Sequence, residues 1–229
     1  MKWISDLIDL IFPRHCCVCG EMLSRQEHDI CLDCLYKLPK IEQIHLDQIE
    51  KVFWGKFDIV NATSYIYYRK ESPYNRLLHK MKYGNRPDIG RRLAMMAAEQ
   101  LSKEGFFDGI DVIVPLPLSK KKKRQRGYNQ CDYIAEGVSQ ATGIPVIMGC
   151  VVRTKANESQ THKTREERWK NVEGIFSLEK PELTEGKHIL LIDDILTTGA
   201  TLTNCAIAIL QSCNCNISVF TLAYTNNKI

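Results

Sequence analysis

The stretch Ile189-Leu-Leu-Ile-Asp193-Asp194-Ile195-Leu196-Thr197-Thr198-Gly199-Ala200-Thr201-Leu202 decides how this chain is read. Four consecutive apolar residues suit a strand buried on both faces of a parallel sheet. Two adjacent carboxylates end the run. Burying both without partners would cost several kcal/mol, so they are expected to face solvent or a polar ligand. Short hydroxyl residues and a glycine follow and open the next helix. Amides at a helix start with hydroxyls beside them cradle an oxyanion, and Gly199 lets the backbone come close to it. The acids would repel that anion. Accepting hydrogen bonds from a cis-diol is their natural task. A phosphate cradle about one ribose away from a diol clamp describes a site for ribose 5-phosphate.

On either side of this stretch, strand-like and helix-like segments alternate. Ile59–Tyr68, Ile110–Val114, Pro145–Val152, His188–Ile192 and Ile217–Ala223 read as strands. Leu77–Lys82, Ile89–Leu101, Asn129–Thr142 and Ala200–Ser212 read as helices. The alternation predicts an α/β fold, a doubly wound and mostly parallel sheet. Ligands of such sheets sit outside the carboxyl ends of the strands, so the loops leaving those ends are where function belongs.

Two further loops stand out. Val114-Pro115-Leu116-Pro117-Leu118-Ser119 ends one strand in a turn stiffened by prolines. Lys120, Lys121, Lys122, Lys123 and Arg124 follow, then Arg126-Gly127-Tyr128-Asn129-Gln130. The basic run reads as a solvated charged loop or as a contact for phosphate chains or nucleic acid. The segment Arg153–Gly174 carries Arg153, Thr154, Gln160, Arg165, Arg168 and Asn171 with almost no apolar filling. A polar stretch of about 20 residues inside a domain marks a functional or a disordered loop. Tyr128 and Trp169, interleaved with these cations, could stack on a single strand.

Near the N-terminus, Cys16 pairs with Cys19 and Cys31 with Cys34, with eleven residues between the two pairs. Four thiolates converging in a closed tetrahedral set suit a structural zinc. His15 and Cys17 lie close enough to compete as ligands. A redox pair and an iron–sulfur cluster are the alternatives, and the βαβ surroundings of a redox motif are missing here. Trp3, Leu7, Ile8 and Ile11 fit one face of a short amphipathic helix. Asp6 and Asp9 interrupt that segment, and no small-residue cleavage site follows, so it does not read as a targeting peptide. With no export signal, a reducing compartment is expected. The organisation predicted is a metal module over residues 1–50 and an α/β domain over 51–229.

Composition sets the outer bounds. The 229 residues, 44% apolar and 25% charged, exclude collagen-like, coiled-coil and wholly disordered classes. The net charge of +4 neither demands nor excludes an anionic partner. No run reaches the roughly 18 apolar residues that a membrane helix needs.

The acid–threonine stretch resembles the phosphoribosyl-pyrophosphate motif of type I phosphoribosyltransferases. The resemblance implies that Asp193 and Asp194 hold the ribose 2′- and 3′-hydroxyls and stabilise an oxocarbenium-like state. It also implies that Thr197, Thr198, Gly199, Ala200 and Thr201 wrap the 5-phosphate. Leu116, Pro117, Leu118 and Ser119, with Arg126, would form the pyrophosphate loop. Arg153, Gln160, Arg165, Arg168 and Asn171 would lie on a loop that closes over the site, and Mg²⁺ would come with the diphosphate. Taken with the thiol cluster, Phe12-Pro13 and Lys82-Tyr83, nearly the whole chain resembles the ComF family of competence-associated, phosphoribosyltransferase-like proteins. That resemblance implies a zinc finger beside the transferase-like domain and a cytoplasmic role in handling single-stranded DNA during natural transformation. It leaves three classes open: an active transferase on an unread acceptor, a DNA-binding protein, and a regulator sensing phosphoribosyl pyrophosphate.

Overall fold

The computed structural model describes residues 13–42, 46–154 and 175–225. In chain order its elements are α1 (Leu32–Tyr36), α2 (Leu46–Glu50), β1 (Asn61–Tyr67), α3 (Asn75–Tyr83), α4 (Asp88–Ser102), β2 (Val112–Pro115), α5 (Lys120–Arg126) and α6 (Gln130–Thr142). Then follow β3 (Val151–Arg153), β4 (Phe176–Leu178), β5 (His188–Leu196), α7 (Ala200–Leu210) and β6 (Asn216–Tyr224). The amphipathic segment before Pro13 lies outside the described residues.

The main sheet has the order β1–β6–β5–β2, with every pair parallel. Val146 adds a single parallel bridge to Ile113 beyond β2. From β5 the chain crosses through α7 to β6. From β2 it crosses through α5 and α6 to Val146 on the other side. Strand order therefore reverses between β2 and β5, which opens a crevice beyond their carboxyl ends.

Period-two alternation along β5 sends Leu190 and Ile192 into one core and Ile189 and Leu191 into the other. Leu77, Met81, Leu93, Ala97, Ile134 and Val138 of α3, α4 and α6 cover the first face. Ile49 of α2 and Leu202, Cys205 and Ile209 of α7 cover the second. Each fully buried Leu or Ile contributes about 1.5–3 kcal/mol of transfer free energy, so the two cores dominate the stability of this domain. The helices on the first face pack backbone to backbone. A Cβ at Gly137 of α6 would stand 2.2 Å from the Arg91 carbonyl oxygen, so a larger residue there would force α4 and α6 apart.

The N-terminal module rests on the first face. Cys16, Cys17, Val18, Cys34 and Leu38 join that core. Arg76 Nη1 donates to the Val18 carbonyl at 2.9 Å, and the Tyr74 hydroxyl donates to the Cys34 carbonyl at 2.9 Å. Asp29, buried and at φ +59°, is ion-paired with Arg86 in the α3–α4 turn and with Arg92 of α4.

Two sequence expectations change. Pro145–Val152 is not one buried strand: Val146 makes its bridge, Gly149 at φ +65° turns the chain, and Val151–Arg153 pairs antiparallel with Phe176–Leu178. The basic run is a helix, not a loop. Ser119 caps α5 by accepting from the Lys122 amide at 3.3 Å, and Gly127 ends it in the left-handed region.

Candidate functional site

β5 runs on through the acid pair to Leu196, further than the apolar run alone predicts. β2 stops at Pro115 opposite Ile192, and the Leu116 amide makes the last bond across, to the Ile192 carbonyl. Past that point, among the described residues, no strand pairs with this edge of β5, which is flanked by Asp193 on one face and Asp194 on the other. The acids were expected to face solvent or a polar ligand, and Asp194 instead meets two polar side chains of the protein itself. Asp194 is only 6% exposed, because Lys82 Nζ at the end of α3 pairs with its Oδ2 at 3.0 Å and Gln130 Nε2 donates to the same oxygen at 2.5 Å. Asp193 is half-buried, and its Oδ1 accepts from the Asp194 amide at 2.8 Å and from the Cys131 thiol at 3.5 Å. These contacts fall on one oxygen of each carboxylate. Burial, and after it the charge of Asp194, pushes the Asp193 carboxyl up to about 7. Near neutral pH the pair can therefore both donate and accept hydrogen bonds, which suits a diol.

The Arg126–Gln130 segment holds this arrangement together. Arg126 Nη1 donates to Gln130 Oε1 at 2.6 Å, and its guanidinium lies 4.9 Å above the Tyr83 ring. Asn129 caps α6 through Cys131 N and also donates to the Leu116 carbonyl at 3.0 Å, tying the helix to the turn after β2. Tyr128 donates its hydroxyl to the Met81 carbonyl at 2.6 Å and sets its ring edge against Tyr133. As a candidate DNA contact, Tyr128 is thus half-buried and already engaged. Lys82 and Cys131 were missed as site residues; only the Lys82-Tyr83 pair noted above pointed toward the first.

At the start of α7, Thr197, Thr198, Ala200 and Thr201 are exposed, while Gly199 at φ +73° is buried. A Cβ on Gly199 would stand 2.7 Å from Val52 Cγ1 and 3.1 Å from Phe53 Cε1, so this turn requires glycine both for conformation and for space. Leu116 is buried, and Pro117, Leu118 and Ser119 are half-buried across the crevice. Lys120, Lys121, Lys122, Lys123 and Arg124 are exposed along α5. Arg153 stands at the end of β3 with its guanidinium 5.5 Å from the Phe176 ring centre. Gln160, Arg165, Arg168, Trp169 and Asn171 lie outside the described residues.

In the module, the sulfurs of Cys16, Cys19, Cys31 and Cys34 all lie within 4.8 Å of one another. Cys17 points into the apolar core and His15 Nδ1 is bonded to the Gly20 carbonyl at 3.0 Å, so neither joins the set. Burial opposes ionisation of Cys16, yet amides around it, including those of Cys31 and Val18, hold its thiol down to about 6. Burial and the neighbouring thiols drive Cys34 upward instead. Four thiolates this close need a cation to coexist. A soft, closed, four-sulfur set with N–H donors at its back fits a structural zinc.

Comparison with known proteins matches residues 7–45 to a double zinc ribbon domain and residues 130–228 to a phosphoribosyl transferase domain. Competence protein ComFC of Bacillus subtilis is 31% identical over 208 residues, which span 90% of this chain and 76% of that protein. The chain belongs to the ComF family. DNA utilization protein YhgH of Salmonella typhi is 28% identical over 156 residues, 67% of this ComF chain and 68% of that one. Among solved structures, the glutamine phosphoribosylpyrophosphate amidotransferase of B. subtilis aligns at 18% identity and a TM-score of 0.43, over 62% of this chain and 30% of the amidotransferase chain. In this ComF protein the zinc ribbon match takes in all four cysteines, and the transferase match takes in Gln130, the acid pair and the threonine turn. Lys82 and Arg126 fall between the two matches. Among the described residues no helix is long and apolar enough to cross a membrane.

Proposed function

We propose that this ComF protein binds phosphoribosyl pyrophosphate, with magnesium carried on the diphosphate, in the crevice between the ends of β2 and β5. One observation carries the reading: a half-engaged acid pair and an exposed threonine turn share a single strand–helix junction where strand order reverses. Asp193 and Asp194 accept from the ribose hydroxyls, sharing the clamp with Lys82 and Gln130. Thr197, Thr198, Gly199, Ala200 and Thr201 hold the 5-phosphate on the amides that open α7. Leu116, Pro117, Leu118 and Ser119, with Arg126, face the diphosphate. If pyrophosphate leaves, Asp193 and Asp194 lie where positive charge develops on the sugar.

The names of the relatives, a competence protein and a DNA utilization protein, support a role in DNA uptake and natural transformation. Exposure of Lys120, Lys121, Lys122, Lys123 and Arg124 along α5 supports direct contact with single-stranded DNA as a second reading.

Calorimetry with phosphoribosyl pyrophosphate and Mg²⁺ tests the first reading, and saturable binding is expected. Absence of binding overturns it. Pyrophosphate release across a panel of bases then separates a transferase from a binder or regulator. For DNA, affinity should fall steeply with salt and the slope should flatten when Lys120–Lys123 are changed to Gln. No binding at low salt removes that reading.

A further inference from the structure

Residues 51–57, between α2 and β1, lie against the threonine turn. Val52 and Phe53 fill the space that Gly199 leaves, and Phe53 is fully buried with its ring edge-on to Phe57 at 5.6 Å. The Lys56 amide donates to the Phe53 carbonyl at 3.0 Å, so the backbone from which Lys56 projects is fixed by a buried anchor. Its side chain is exposed, and its Nζ donates to the Thr198 carbonyl at 3.2 Å. An ammonium carries three donors, and among the described ion pairs no carboxylate engages this one.

The turn Thr197–Thr201 contains no cation of its own. A phosphate monoester carries close to two negative charges near neutral pH, and the nearby Asp193–Asp194 pair repels it. Lys82, the cation on that pair, is committed to Asp194. Amides and hydroxyls supply only partial charges there, so a full cation beside the turn would add to their hold on the phosphate. From the Thr198 carbonyl, a flexible four-carbon stem lets the ammonium swing to an anion seated on the turn.

We propose that Lys56, supplied by the connector ahead of β1, is the cation of the 5-phosphate subsite, so the site selects sugars carrying a dianionic 5-phosphate. This rests on the phosphoribosyl reading above and adds a residue that lies outside both matched domains.

The test is calorimetry on the full zinc-loaded chain with three probes: ribose 5-phosphate, phosphoribosyl pyrophosphate with Mg²⁺, and pyrophosphate with Mg²⁺. Lys56→Gln should weaken the first two by about tenfold each, the scale of one charge-assisted hydrogen bond, and leave pyrophosphate unchanged. Lys56→Arg should restore most of the affinity. Because the side chain is exposed, the unfolding midpoint should not move. If the parent binds ribose 5-phosphate and Lys56→Gln binds it equally well, the Lys56 assignment is wrong while the phosphoribosyl reading stands. If the parent binds neither sugar phosphate, both are wrong.

Discussion

Asp29 and Asp194 are buried to nearly the same degree, 5% and 6% exposed, and are held in different ways. Asp29 pairs one oxygen with Arg86 and the other with Arg92, so both oxygens face guanidinium charge that fastens the metal module to α4 and the turn before it. Asp194 places Lys82 and Gln130 on a single oxygen, beside a second acid and an unpaired strand edge. A buried carboxylate with both oxygens matched by guanidinium is a fastening. One with a single engaged oxygen, facing a crevice, keeps capacity for a ligand.

The largest effect should come from removing the frame around Asp29. Cys31→Ala should take zinc content from about one per chain to near zero and loosen the module, because a structural site rarely survives the loss of a ligand. The sheet domain should still unfold cooperatively, which circular dichroism melting would show. Lys82→Ala should destabilise by about 3 kcal/mol in denaturant titration, since it strands a buried charge. Adding Asp194→Asn in the same chain should recover much of that loss. If Lys82→Ala is neutral, the ion pair is not holding α3 to the sheet.

Asp193 offers a test by pH. Its carboxyl rises from 3.8 to about 7 in the folded chain, so the folded state holds more protons between those values. Stability from this group is therefore lost as pH climbs from about 4 to 7 and is level above. Asp193→Asn should melt higher than the parent at pH 8, with the gap closing toward pH 4. Gly199→Ala should cost about 1–2 kcal/mol for its left-handed backbone, with further strain against Val52. At the small end, Lys37→Ala removes an exposed pair with Asp33, both side chains about two-thirds exposed, and should leave the melting midpoint unmoved.

The central strands were legible because Ile189–Ile192 is an uninterrupted apolar run and Ile217–Ala223 is rich in apolar and β-branched residues, and the zinc set because ligand spacing is local. Pro145–Val152 misled because the partner of Val151–Arg153 is Phe176–Leu178, across a long polar segment that carries no pairing signal. The helix over Lys120–Arg126 did have its signals, Ser119 at the start and Gly127 at the end, but the density of charge masked them. The partners of Asp194 were not legible, because nothing in its own neighbourhood in the sequence names Lys82 or Gln130. Arg86 and Arg92 were equally unreadable as partners of Asp29. Long-range charge pairing leaves no periodicity behind.

Lys82, Arg86 and Arg92 fall within eleven residues of a single helical hairpin. One strut thus moors the four-cysteine end of the molecule and the end that carries the acid pair. Whatever unseats the guanidiniums, a thiol oxidised or a zinc stripped, also slackens the span from which Lys82 reaches across, so the loss would be felt at the far mooring.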